Sequence, residues 1–192
     1  MAESERAALH RELGAAGRIL VAFFGFAYSH KGVHRLFEIC DPRRHHIVLI
    51  GELHEEDPYH GELLRLAASD AWRGHVSLAG FVDPSRAARL LAAADAAVFP
   101  FVNGGGTWNS SAHAAMAQGT FTLMTSRHQS GYVAEENLYY ARPEDTSEMQ
   151  TALAHYAGVR AVPKANDWHA IAARHVQIYR EAHARTRGGP RP

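Results

Sequence analysis

The sequence predicts a doubly wound α/β domain, a mostly parallel sheet of about six strands with helices on both faces. Three observations carry that expectation. Short, near-continuous apolar runs recur along the chain, stretches with apolar residues at helical spacing separate them, and glycine- or proline-marked loops join the two. A strand covered on both faces meets no water, so it reads as an unbroken apolar run rather than as an alternation.

Taken in order, helical spacing runs from about Ser4 to Leu13 and stops at Gly14 and Gly17. RILVAFFGF, Arg18 to Phe26, is the first strand, closed by Gly25. HHIVLIG (His45 to Gly51), HVSLAGF (His75 to Phe81), AAVFPF (Ala96 to Phe101), TFTLMTS (Thr120 to Ser126) and NLYYARP (Asn137 to Pro143) repeat the pattern. Helical patterns fall between them at Val33 to Ile39, Tyr59 to Ala68, Pro84 to Ala94, Asn109 to Ala117 and Ser147 to Tyr156. Asp83-Pro84-Ser85 starts its helix with a capping residue and then proline in the first turn. A last helix, about 167–184, follows the linker-like VRAVPKAN. The expected organisation is one domain over 1–185 with a flexible tail over 186–192.

Composition narrows the function classes. Twenty basic residues balance twenty acidic ones, which argues against a general nucleic-acid partner or a membrane-surface binder. The longest apolar stretch, Ile19 to Tyr28, is too short to cross a bilayer, so no transmembrane segment is expected. The start MAESERAALHREL is charged and helical rather than signal-like, and a cytoplasmic location is expected. The single cysteine, Cys40, falls on an apolar helical face as a packed thiol, and the fourteen histidines show no metal-ligand spacing. Neither a metal nor a cofactor is expected.

One loop invites a ligand. FVNGGGTWNSSAHAAMAQG, Phe101 to Gly119, follows an apolar run with Gly104, Gly105 and Gly106 and then opens a helix. In open parallel sheets ligands sit outside the carboxyl ends of the strands, and a helix N-terminus there favours an anion. Thr107, Asn109, Ser110 and Ser111 add side-chain donors or caps, so the stretch reads as a phosphate or diphosphate cradle. It reads equally as a flexible turn with a capped helix, being neither a Walker A motif nor GxGxxG. After strand one, Lys31-Gly32 stands at the mouth of the next helix on the same edge. Lys31 and Lys164 are the only lysines among the basic residues, and an ammonium beside a glycine suits phosphate as well as it suits a solvated loop.

The ordered set ILVAFFGFAYSHKGVHRLF, IVLIGE, VSLAGFVDPSRAARLLAAADAAVFPF, the glycine loop, AAMAQGTFTLMTS, SGYVAEENLYYARPED and IAARHVQIYREA resembles the C-terminal half of GT-B-fold glycosyltransferases of the "glycosyl transferases group 1" type. The resemblance covers roughly 6–182 and implies a Rossmann-like half that binds a nucleoside-diphosphate sugar. It implies that Lys31 is the family's lysine at the KG step. By the same likeness Gly105, Gly106 and Thr107 form the phosphate-facing loop, and Gly80, Phe81 and Val82 lie where backbone meets the base. It also implies an acceptor-binding N-terminal half, on the same chain or a partner subunit, for transfer of the sugar to a hydroxyl. The sequence departs from the family at Phe26, where the family has arginine, and at Gly106 and Ala114, where it has two glutamates. Those departures leave open a degenerate, non-catalytic binding or scaffold domain, and no catalytic residue is assigned. His30 and His128 are further candidates at the ligand edge. A flavodoxin-like regulator ranks last, because Asp95 precedes its strand instead of following it.

Overall fold

A computed structural model describes residues 1–106, 108–162 and 168–187. After helix α1 (Glu3–Glu12) come strand β1 (Ile19–Phe24), two 3-10 turns (Ser29–Lys31 and Val33–Arg35), the short helix α2 (Leu36–Ile39), β2 (His45–Ile50) and α3 (Pro58–Ala68). Then follow β3 (Val76–Gly80), α4 (Pro84–Ala93), β4 (Ala96–Phe99), α5 (Ser110–Ala117) and β5 (Thr122–Thr125). A hairpin of β6 (Gly131–Val133) and β7 (Leu138–Ala141), then α6 (Thr146–Tyr156) and α7 (Trp168–Arg187), completes the order.

Seven strands form one sheet in the order β3-β2-β1-β4-β5-β7-β6, parallel except for β6 against β7. The six expected strands are all present. The seventh, β6, is an added edge of three half-buried residues. Helix α7 reaches Arg187, and the rest of the expected tail lies outside the described residues.

Burial explains the strand pattern. All residues of β2, β4 and β5 are buried, whereas β3, on the sheet edge, is buried at none of its five positions. Helix starts follow from short polar side chains that accept from first-turn amides. Asp57 accepts from Tyr59 and His60 at 2.8 and 3.1 Å, Asp83 from Ser85 and Arg86 at 2.9 and 3.1 Å, and Asp145 from Glu148 at 2.8 Å. Pro58 and Pro84 then occupy the first turn, where a missing N–H costs nothing. Helices pack in two sets, α1 with α4 and α4 with α5, and α2 with α6.

Strand order reverses between β1 and β4. Chain connections leave these two neighbours in opposite directions, which opens a crevice beyond their carboxyl ends. The loop with Lys31 and the glycine loop both emerge there.

Below the opposite, amino-terminal edge, β2 carries His46 at 2% exposure. Ser77 donates its hydroxyl proton to the Leu13 carbonyl at 2.9 Å, so it accepts from His46 Nε2 at 2.8 Å and leaves Nδ1 buried without a partner. Burial first, then the neighbouring His75, Arg18 and His10, pulls the His46 pKa to about 4. Burial also lowers that of His45. Because the folded value lies below the unfolded one, near 6.5, the neutral ring's contribution is complete above pH 6.5 and is lost as pH falls from there toward 4. The His46 shift alone is on the order of 3 kcal/mol. Urea unfolding at pH 7.5 and 4.5 should show that loss in the wild type and a smaller one in His46→Gln. Equal losses in the two proteins would remove His46 as the cause.

Candidate nucleotide-binding site

The site is built where two loops cross. Val102 donates its amide to the His30 carbonyl at 3.0 Å, which ties the loop after β4 to the loop after β1. Gly32, with φ +66°, lies against the same strand end, and a methyl group on it would stand 2.2 Å from the Pro100 carbonyl oxygen. Its absent side chain therefore serves the crossing of the loops.

That crossing brings Lys31 to α5. A methyl group on Gly25 would stand 2.8 Å from Ser111 Oγ and 3.5 Å from Lys31 Nζ. An ammonium and a hydroxyl thus converge over a backbone left bare at φ +117°. Ser111 sits in the first turn of α5, whose amides and dipole favour negative charge at the same end. Lys31 forms no ion pair among the described residues, and burial lowers its pKa from the ordinary lysine value. Its Nζ lies 5.6 Å from the centre of the Tyr28 ring and 6.0 Å from that of Phe26, within cation–π range.

The glycine loop is arranged differently from its sequence reading. Gly104 donates its amide to the Phe101 carbonyl at 3.2 Å and Gly105 to the Thr125 carbonyl at 2.7 Å, so both are engaged within the fold. Gly105 also lies where a methyl group would be 2.6 Å from the Phe101 ring and 2.9 Å from Met124 Sδ, and Gly104 requires φ +85°. Gly106 faces open space. Thr107 lies outside the described residues. Asn109 Oδ1 accepts from the Ala112 amide at 2.9 Å as the cap of α5, and Ser110 is exposed beside it.

Next to this point an apolar slot of about 320 Å³ opens at the carboxyl ends of β1, β2 and β3. Phe26, Ile50, Gly80, Phe81 and Val82 line it, together with Glu52, whose carboxylate lies 3.7 Å from His54 Nε2. Phe26 and Phe81 are 65% and 83% exposed, large values for apolar rings, and the Phe26 ring stacks on that of Tyr28 at 5.8 Å. His30 and His128 lie outside the slot: the His30 ring stacks on Tyr28 at 5.7 Å, and His128 lines a separate cleft with Arg127 and Arg142. Cys40 is buried, and burial raises its pKa.

The resemblance gave Lys31 to the phosphates and Gly80, Phe81 and Val82 to the base, and left Gly25 and Glu52 unassigned. Gly25 was visible only as the end of a strand. Its partner Ser111 comes from α5, so the convergence is tertiary. Glu52 carried a weak signal, an acid directly after the second strand, where such folds hold ribose hydroxyls.

Fold and site together define a doubly wound domain with an anion-ready crevice at its switch point and an apolar slot alongside. The family model described as "Glycosyl transferases group 1" matches residues 17–157, and the chain belongs to that family. Among solved structures it is similar to Anabaena HepE in complex with UDP and glucose (20% identity, TM-score 0.67, covering 83% of this chain and 46% of that one). Sucrose-phosphate synthase from Thermosynechococcus elongatus (23% identity, TM-score 0.71) covers 95% of this chain and 49% of its own. The C-terminal domain of the group 1 glycosyl transferase LpcC from Francisella tularensis (21% identity, TM-score 0.62) covers 80% and 82%. At these identities the likeness establishes the fold, that of one GT-B half, and the chain spans about half the length of HepE and of the synthase. No curated protein sequence matches it. No helix among the described residues is long and apolar enough to cross a membrane.

Proposed function

We propose that the chain is the donor-binding part of a glycosyltransferase, holding a nucleoside-diphosphate sugar whose sugar passes to a hydroxyl acceptor. The observation that carries this reading is the convergence of Lys31 Nζ and Ser111 Oγ over bare Gly25 at the start of α5. The diphosphate takes that point. The base lies in the slot between Phe26 and Phe81, and Glu52 accepts from ribose hydroxyls. Ring stacking on Phe26 then supplies binding where the family's arginine would supply charge. As the bond from the anomeric carbon to the diphosphate oxygen breaks, negative charge grows on the leaving group, which Lys31 and the α5 terminus stabilise. No metal or other cofactor enters this reading. The acceptor hydroxyl comes from a second half, on the same polypeptide or a partner. Helix α7 supports that part of the proposal, because Val176, Ile178 and Tyr179 remain exposed on it.

A second reading, a binding domain without transfer chemistry, is favoured by the residues at two family positions: Gly106 and Ala114 bring no carboxylate. Calorimetric titration with UDP, GDP and ADP tests the binding shared by both readings. One nucleotide should bind saturably, and Lys31→Ala should weaken it by about 1–3 kcal/mol, the loss of a charged hydrogen bond. Equal affinity in that variant would reject the site. Sugar transfer in the presence of the acceptor half then separates the two readings.

A further inference from the structure

At the edge of the sheet opposite the candidate site, the turns entering β1 and β2 carry arginine side by side. The two strands pair with Ile19 opposite His45, so Arg18 and Arg44, each one residue earlier, enter neighbouring strands together. Gly14 and Gly17, at φ +72° and +74°, turn the chain sharply out of α1, and Arg11 in the last turn of that helix lines the same groove. The groove encloses about 660 Å³. Its walls include Arg6, Arg11, Arg18, Arg43 and Arg44 against two carboxylates, Glu3 and Asp95. In a chain of zero formal net charge this is a strong local excess of positive charge.

The acids are already engaged. Asp95 accepts from the Leu20 amide at 2.7 Å and pairs with Arg6, which also has Glu3 at 3.8 Å. Asp41 holds Arg43 in two bonds of 3.0 and 3.1 Å. Arg11, Arg18 and Arg44 are left without an ion pair or side-chain hydrogen bond among the described residues. Arg18 Nε is a buried donor without a partner. Adjacent like charges repel, and a buried donor without an acceptor costs free energy, so the arrangement is incomplete as it stands. Guanidinium forks match phosphate oxygens in geometry as well as charge, and a concave groove fits a compact anion better than a flat bilayer.

We propose that this groove is a second anion site, which takes a compact ligand bearing two linked phosphate groups and is separate from the crevice at the other end of the strands. Pyrophosphate is the probe, titrated at physiological salt so that screened surface attraction contributes little. Amide NMR of the full chain reads the two edges separately. The amides of residues 17–19 and 43–45 should shift saturably. Arg11→Ala combined with Arg44→Ala, both exposed and therefore compatible with folding, should weaken that response at least 10-fold. Lys31→Ala should leave it unchanged, whatever happens at the other edge. The proposal is overturned by silent amides at 17–19 and 43–45, by an unchanged response in the double variant, or by a response to phosphatidylglycerol vesicles with none to pyrophosphate.

Discussion

Replacing Gly25 by alanine should abolish nucleotide binding, with affinity falling at least about 100-fold for whichever of UDP, GDP or ADP the wild type prefers. The added methyl would stand 2.8 Å from Ser111 Oγ and 3.5 Å from Lys31 Nζ, in the space assigned to a phosphate oxygen. Several heavy-atom contacts and a charge-assisted bond are lost at once, which puts the loss at or above the upper end of the roughly 1–3 kcal/mol assigned to Lys31 alone. Ser111→Ala supplies the contrast. It removes one neutral donor without filling the space and should cost about 0.5–1.5 kcal/mol. Alanine at φ +117° is strained, so circular dichroism on the variant is needed to show that the sheet is intact. A folded Gly25→Ala protein with wild-type affinity would move the diphosphate elsewhere.

How much of this was legible beforehand differs from fold to site. β1, β2, β4 and β5 announced themselves because burial on both faces forces unbroken apolar runs. β6 did not, since three half-buried residues at a sheet edge need no such run, and its hairpin turns on Asn137 at φ +52°, which no apolar pattern records. In the candidate site, part of the glycine triplet answers to packing within the fold. Gly105 is needed where Phe101 and Met124 close on its Cα, and in a sequence that requirement looks the same as close approach to phosphate. Phe26 read as a missing charge. In the folded chain it is a wall of the slot, a role that depends on Phe81 and Ile50 arriving from two other strands.

The largest effect on stability is expected at Gly32. Alanine there meets two costs together: a left-handed backbone at φ +66°, worth about 1–2 kcal/mol for a residue with a side chain, and a methyl 2.2 Å from the Pro100 carbonyl oxygen. A backbone atom cannot rotate aside as a side-chain tip would. Relief of that overlap must move the loop after β1 away from β4, at about 1–3 kcal/mol more. The sum is about 2–5 kcal/mol, which for a chain of this length lowers the midpoint of thermal unfolding by roughly 5–15 °C. Nucleotide affinity should fall in the same variant, because Lys31 is the preceding residue and moves with the loop. The nearby Gly106, which faces open space, is the control: Gly106→Ala should leave the unfolding temperature within about 2 °C of wild type. If Gly32→Ala unfolds at the wild-type temperature, the contact between the two loops does not hold the site together, and the position of Lys31 must be set by something other than this crossing.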